Sequence, residues 1–276
     1  MLKESSDKST QLLLFTDAHC YYDEPYEICS EYVPIFQQLK EAYDHCSFEF
    51  CLSAGDFVNW GEVVTPDMGF RQIAYNHGTM ESLFKKYKPC MGNHEYAFYQ
   101  GYSNVLTESQ IKNAYMPEYE RLYYTFENAN NKFIVLQTGI DGDHLISSTQ
   151  KSWMKQQLKN ATKDIVIVEH IAFDGSNESV STAFVPKVFV DLEKEFDNFN
   201  KRVGEYSGCN RKILCVLSGH THFYKHKTTT SGIQVVAFDR LLHGSTTNYY
   251  GIIIDNQNKK LKIAQTSGSN IEYVLP

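Results

Sequence analysis

Two short motifs in this sequence each contain two potential metal ligands that are separated by one residue. Asp17 and His19 form one pair, and His220 and His222 form the other. In extended backbone, side chains two residues apart point to the same side, so each pair can hold one metal ion. Both pairs follow a run of apolar residues, which predicts that they lie at the ends of strands.

Three more candidate ligands follow predicted elements. Asp56 and Asn93 each come directly after a glycine, which lets the backbone turn sharply and bring an oxygen donor into a crowded centre. His170 ends a predicted buried strand. The seven residues offer four imidazoles, two carboxylates and an amide, a set that suits Mn²⁺, Fe or Zn²⁺ rather than Ca²⁺. Any one of them alone is more typical of a surface, cap or turn position, but their joint occurrence favours a metal role.

The elements that must position these residues alternate between strand and helix in the first half of the chain. Continuous apolar runs predict strands, and apolar residues at helical spacing predict helices. Ser147 and Gln150 have the spacing of a capping box and predict a helix start. Predicted strands cover 12–15, 48–53, 165–168 and 213–217, and predicted helices cover 34–43 and 73–87. A hairpin is predicted from 123–126 and 133–138, and C-terminal strands from 232–238, 249–255 and 261–266.

Length and composition indicate one compact domain of enzyme size over residues 1–276. The chain has 276 residues, of which 42% are hydrophobic and 21% charged, as in ordinary globular proteins. The net charge of −7 argues against extended nucleic-acid binding through a basic face. Small anionic substrates stay compatible with it, because bound metal ions reverse the sign of a local site. The charge pattern says nothing about the oligomeric state.

The cysteines and the apolar runs indicate in which cellular compartment the protein is expected. Seven scattered cysteines without a CxxC pair indicate reduced thiols in a reducing compartment. The first ten residues are polar, and the apolar run after them is too short for a secretory signal. No run approaches the roughly 20 apolar residues that span a bilayer. A cytoplasmic protein without a membrane partner is therefore expected.

The order of the motifs resembles that of the calcineurin-like metallophosphoesterase family, whose pattern is DxH, GD, GNH[DE], H and GHxH. The resemblance spans roughly residues 11–255. The matching positions are Asp17/His19, Gly55/Asp56, residues 92–95, His170 and residues 219–222. This resemblance implies an α/β fold: a four-layer α/β/β/α sandwich of two packed mixed sheets flanked by helices, with two metal ions at the strand ends.

The resemblance also implies how the ligands divide between the two ions, which would be Mn, Fe or Zn. Asp17, His19 and His222 would hold one ion, and Asn93, His170 and His220 the other, with Asp56 bridging them.

Catalysis would depend on the metal pair and on His94. Two cations about 3.5–4 Å apart share a water, lower its pKa and supply a hydroxide that attacks phosphorus in line. His94 would face the substrate and assist the leaving oxygen, and Glu95 would fix the tautomer of His94. Asn93, His94 and Tyr96 are the candidate substrate-binding residues. The sequence therefore predicts a dinuclear metal-dependent phosphoesterase acting on a small phosphate monoester or diester.

Two other functions remain open. A non-catalytic scaffold of the same fold is disfavoured because every ligand position and His94 are present. A DNA-processing nuclease is disfavoured by the acidic balance and by the lack of Lys/Arg clusters near the motifs. Within the family, Asn59 stands where purple acid phosphatases have a tyrosine ligand, and the arginine of Ser/Thr protein phosphatases is missing after Asp56. The segment 171–211 is expected to be an insertion and a candidate lid.

Overall fold

The computed structural model describes residues 7–20, 22–24, 27–28, 32–58, 66–96, 106–138, 146–172, 187–243, 245–266 and 268–276. The helices are α1 (Tyr32–Cys46), α2 (Pro66–Leu83), α3 (Glu108–Tyr115), α4 (Ser148–Lys159) and α5 (Lys187–Asn200). The first eight strands are β1 (Ser9–Phe15), β2 (Tyr22–Glu24), β3 (Glu27–Ile28), β4 (Phe50–Ser53), β5 (Tyr87–Pro89), β6 (Tyr124–Glu127), β7 (Asn131–Val135) and β8 (Asp164–Val168). The others are β9 (Ile213–Ser218), β10 (Lys225–Thr228), β11 (Gln234–Ala237), β12 (Leu242–His243), β13 (Thr246–Thr247), β14 (Tyr250–Asp255), β15 (Lys260–Gln265) and β16 (Asn270–Val274).

Two mixed six-stranded sheets form the centre of the fold. The first has the strand order β16-β15-β14-β1-β4-β5, and the second has the order β10-β11-β9-β8-β7-β6. In the first sheet β1, β4 and β5 run parallel, while β14 pairs antiparallel with β1. In the second sheet β7, β8, β9 and β11 run parallel, with antiparallel strands at both edges. The carboxyl ends of several parallel strands therefore meet at one edge of each sheet.

Alternating side chains along the second sheet separate two apolar layers. Val166 and Val168 point into the core that the two sheets share, where Phe133 meets Phe50 of the first sheet at a ring distance of 5.2 Å. Ile165 and Ile167 point the other way and pack with residues of α4 and α5. Since α1 packs its buried face against the first sheet's core, helices flank both sheets and the predicted four-layer sandwich is confirmed.

The end of α2 differs from the sequence expectation. The predicted helix ran to Tyr87, but α2 ends at Leu83 and Tyr87 begins β5. This strand has three residues and includes Pro89, so it carries no alternating pattern that would reveal it. Proline is tolerated there because β5 lies at the edge of its sheet. The strand matters for function, since the chain passes from it to residues 92–95.

Helix α3 was not predicted, although its start carries a readable signal. The Thr107 side chain accepts a hydrogen bond from the Gln110 amide, and the Gln110 side chain bonds back to the Thr107 backbone. Such a reciprocal capping box marks a helix start in sequence as well as in structure. At Ser147 only half of the predicted box forms, because the Gln150 side chain reaches a different partner.

The segment 171–211 connects β8 to its parallel neighbour β9, and α5 within it is the crossover helix of a β-α-β unit. Leu192, Phe196 and Phe199 of α5 are buried in the core beside the second sheet. The described part of the segment is thus a structural layer of the fold. The role of 171–211 as a lid would fall on residues 173–186, which lie outside the described residues, and stays a prediction.

Among the described residues there is no helix with the length and apolarity needed to cross a membrane. All six cysteines that the structure describes are free thiols, and four of them are buried.

Gln150 gives a test of how α4 is attached to the second sheet. Its buried side-chain amide accepts from the Gln137 amide at 2.8 Å and donates to the Gln137 carbonyl at 2.9 Å. We expect Gln150→Ala to lower the free energy of unfolding by about 1–3 kcal/mol, because both backbone groups would lose their partner. Urea unfolding measures this change. Gln156→Ala, on the exposed side of the same helix, should change stability far less; equal losses would contradict this account.

Candidate metal centre

Three loops at the strand ends are joined by backbone hydrogen bonds. The Asp17 amide donates to the Gly55 carbonyl at 2.9 Å, and the His19 amide donates to the Asp56 carbonyl at 3.1 Å. The loop after β11 joins them, since the Leu241 amide donates to the Thr16 carbonyl at 2.8 Å. The loops after β1 and β4 therefore run side by side, which brings Asp17 and Asp56 into one place.

Backbone conformation at the ligand positions differs from the extended geometry that the sequence suggested. Five of them have positive φ angles: Asp17 (49°), His19 (44°), Asp56 (51°), His220 (71°) and His222 (58°). Each pair converges because the chain curls after its strand, and not because alternate residues of a strand share a face. Non-glycine residues adopt this region at a cost of order 1–3 kcal/mol each and cluster at functional sites.

Asp17, His19 and His222 lie together as one group of potential metal ligands. The Nε2 atoms of His19 and His222 lie 2.9 Å apart, and Oδ1 of Asp17 lies 3.3 Å from Nε2 of His222. Two imidazole nitrogens and a carboxylate oxygen that face one another at these distances have the arrangement of ligands around a cation.

Asp56, His170 and His220 form a second group, and Asn93 lies beside it. Nε2 of His170 is 3.0 Å from Oδ2 of Asp56, and the buried Nε2 makes no hydrogen bond. Nδ1 of His170 bonds to the Ala54 carbonyl at 2.8 Å, which leaves Nε2 as the atom available to a metal. Nδ1 of His220 lies 3.1 Å from Oδ1 of Asn93. These contacts bring every predicted residue of the second site together.

Asp56 belongs to both halves of the centre. Its Oδ2 is 3.0 Å from Nε2 of His170 and 4.0 Å from Nε2 of His19. His94 stands next to the same oxygen, at 3.9 Å from its Nε2, and its ring packs edge-on against His19 with centroids 4.5 Å apart. This arrangement fits two cations that share one carboxylate.

Buried charges of opposite sign set the proton affinities in the centre. Burial alone would raise the pKa values of Asp17 and Asp56, but the surrounding imidazoles, His170 first, hold both below the ordinary range. Burial opposes a charge on His170, yet Asp56 and Asp17 raise its pKa to about 10. In His94, by contrast, burial dominates and lowers the pKa. The two carboxylates thus favour positive charge at the centre, which a metal ion supplies.

Thr16 supports the site and was missed in the sequence. Its buried hydroxyl donates to Oδ2 of Asp17 at 2.7 Å, and the same oxygen accepts from the His220 amide at 2.9 Å. Oδ1 of Asp17 lies toward His222 instead. The position of Thr16, directly before the first ligand, is the signal that could have revealed it.

Glu95 makes contacts that the sequence did not reveal. Its carboxylate accepts from the backbone amides of Gly92 (2.7 Å), Phe57 (2.7 Å) and Asp56 (3.2 Å), while its predicted role of orienting His94 stays a prediction. Burial, together with the charge of Asp56, raises its pKa to about 7. Glu95 therefore ties the loop that carries Asp56 to the loop that carries Asn93 and His94.

Gly92 is required by close approach rather than by a special φ angle. A Cβ atom at this position would lie 2.1 Å from Oδ1 of Asp56. The same oxygen accepts a hydrogen bond from the His94 amide at 2.8 Å, so the Asp56 carboxylate leaves no room for a side chain at position 92. Gly55, in contrast, has a φ angle of 102°.

Of the predicted substrate-binding residues, Tyr96 ends the short helix His94–Tyr96, and its side chain lies outside the described residues.

The fold and this centre define a class: an α/β sandwich with two adjoining groups of metal ligands at the strand ends. The model of the calcineurin-like phosphoesterase family matches residues 10–224. The chain belongs to this family, and the resemblance seen in its motifs is confirmed.

Two solved structures share the fold over almost the whole chain. A dimetal phosphatase from Danio rerio superposes with a TM-score of 0.67 at 10% identity, covering 97% of this chain and 99% of that one. GAP50, the anchor in the inner membrane complex of Plasmodium, superposes with a TM-score of 0.54 at 10% identity, covering 98% and 90%. No curated protein matches the sequence. At these identities the similarity establishes the fold alone.

The task of Glu95 can be tested by removing its charge. In Glu95→Gln, an amide NH₂ would face backbone N–H groups, so we expect the two loops to separate and the affinity for Mn²⁺ to fall by about 10- to 100-fold. Titration of metal-stripped protein with Mn²⁺ measures the change. Glu41→Gln, an exposed site on α1, is the matched control. A loss of turnover at unchanged metal affinity would instead favour direct orientation of His94.

Proposed function

We propose that this chain is a dinuclear metal-dependent phosphoesterase that hydrolyses small phosphate esters. The observation that carries this proposal is Asp56, which lies between two groups of ligands and contacts an imidazole of each. When bound, two divalent cations of the Mn, Fe or Zn type would lower the pKa of a shared water and stabilise charge on the phosphoryl oxygens.

The protein's own residues would hold the two ions in unlike surroundings. His170 is fully buried and its Nδ1 is hydrogen-bonded to the Ala54 carbonyl, so this ring is held in place and shielded from solvent, whereas His220 in the same half is only partly buried. The His222 side chain is 35% exposed, whereas those of His19 and His94 are 13% and 12% exposed. The centre therefore opens to solvent on the side of His222, and a phosphate ester would approach from there.

His94 would assist the leaving group. Its amide is fixed by Oδ1 of Asp56 at 2.8 Å, and its ring stands beside His19 at the partly open side of the centre. Burial lowers the pKa of His94, which makes its imidazolium a stronger acid toward a departing oxygen. The ring would donate a proton or a hydrogen bond while the carboxylate of Asp56 holds its backbone in place.

A small substrate fits the overall charge better than a polymer. The chain carries a net charge of −7, so an extended anion would be repelled away from the metal centre. A compact phosphate ester would be attracted locally by the bound cations alone. Monoester and diester substrates meet these conditions equally, and direct assay separates them.

Removal of the bridging carboxylate tests the proposed centre. We expect Asp56→Ala to lose at least about 100-fold in turnover of p-nitrophenyl phosphate or bis-p-nitrophenyl phosphate, and to bind less than two Mn²⁺ per chain. Both values are measured on metal-stripped protein reloaded with Mn²⁺. Asp44→Ala, which removes an exposed carboxylate from α1, should leave both unchanged. Full metal content and full activity in Asp56→Ala would overturn the proposal, and so would a wild-type protein that neither binds metal nor turns over either ester.

The role of His94 predicts a dependence on the leaving group. His94→Ala should lower kcat by about 10²–10⁴-fold for phenyl phosphate, because phenolate departs poorly without a proton. The loss should be smaller for p-nitrophenyl phosphate, whose leaving group is the weaker base. Metal content is measured in parallel to show that the centre stays loaded. Equal losses for the two substrates would assign His94 to phosphate binding rather than to proton donation.

A further inference from the structure

A second place where metal-ligating side chains meet lies away from the centre, on α2 and the turn after α3. His77, Glu81 and Glu118 each offer a ligand atom there, and the three atoms lie within 4.8 Å of one another. We propose that these residues form a separate binding site for Zn²⁺, which links α2 to the turn that follows α3.

Geometry brings the three residues together from two elements. His77 and Glu81 are four residues apart on α2 and therefore lie on the same face of the helix. Nε2 of His77 is 3.6 Å from Oε2 of Glu81 and 3.5 Å from Oε2 of Glu118. Ligands about 2.0–2.1 Å from a tetrahedral Zn²⁺ stand about 3.3–3.4 Å apart, close to these separations.

The surroundings of His77 are a second observation, separate from the two carboxylates, that favours a bound ligand. Its side chain is only 6% exposed, and neither ring nitrogen makes a hydrogen bond. The rings of Tyr87 and Tyr115 flank it at 6.2 and 6.1 Å, so water has little access from that side. A buried imidazole without a hydrogen bond is costly, and a metal ion at Nε2 would remove that cost.

The surrounding charges favour a cation that accepts both nitrogen and oxygen ligands. The carboxylates of Glu81 and Glu118 are 53% and 40% exposed, so an ion could enter from solvent between them. Lys88 is near enough for its charge to act on both, but its ammonium donates to the Tyr119 hydroxyl at 3.2 Å. One imidazole and two carboxylates suit Zn²⁺, with water in a fourth position, better than they suit Ca²⁺, which takes six or more oxygens.

Zinc itself is the probe for this site. Wild-type protein, Glu81→Gln and Glu118→Gln are dialysed against excess Zn²⁺ and then against buffer, and the zinc content of each is measured. Glu120→Gln, which removes an exposed carboxylate from the same turn, is the matched control. We expect the wild type and Glu120→Gln to hold one zinc per chain more than the other two variants. Both test positions are exposed, so the variants should fold.

An Asp56→Ala background separates this site from the catalytic centre. In that background Zn²⁺ should still raise the Tm, and the rise should become smaller when Glu81→Gln is added, because any binding that remains at the catalytic centre is the same in both proteins. Equal zinc content in wild type, Glu81→Gln and Glu118→Gln would overturn the proposal. A loss of zinc in Glu120→Gln equal to that in Glu118→Gln would also overturn it, because general electrostatic attraction would then be the cause.

Discussion

The structure depends on two carboxylates, Asp17 and Asp56, that are buried side by side after two neighbouring parallel strands of the first sheet, β1 and β4. A buried carboxylate is stable only with charge and hydrogen bonds around it. Backbone amides of His220 and His94 supply the hydrogen bonds, and the imidazoles supply the charge. The loops after β1, β4, β5, β8 and β9 all serve this pair.

This requirement explains why the site contains so much unusual backbone. Five ligand positions lie in the left-handed φ region, and a Cβ at Gly92 would collide with Asp56. Such conformations persist only when the surrounding structure determines them. Here the parallel strands give that support: their ends are fixed in register, and the loops bond to one another across the site. The apolar core between the sheets thus stabilises the polar centre indirectly, by fixing the strands whose ends carry it.

The layer order could be predicted from the resemblance of the motifs to the family, and the positions of several candidate ligands from the sequence, whereas several local features could not. Asp17, His170 and His220 were readable because each lies at the end of an apolar run, and strand ends converge in α/β folds. β5 was hidden because three residues ending in Pro89 show no periodicity. The contacts of Glu95 were hidden for another reason: backbone amides are its partners, and the sequence does not show where backbone amides converge. The sequence pattern also did not reveal that His77 of α2 is buried, with its ring beside Tyr115 of α3.

Protons and metal ions compete for the centre, and the competition follows from the same pair of carboxylates. Without cations, Asp56 and Asp17 hold a proton on His170, whose pKa rises to about 10, while burial and the charge of Asp56 raise the pKa of Glu95 to about 7. A metal ligand must be a neutral imidazole, so binding an ion to Nε2 of His170 releases that proton. Binding of a metal ion beside His170 would therefore become more favourable as the pH rises. On the other side of the centre the His222 side chain is 35% exposed, so solvent reaches that ring directly. The unequal exposure of His170 and His222 is therefore consistent with the proposal that a substrate approaches from the His222 side.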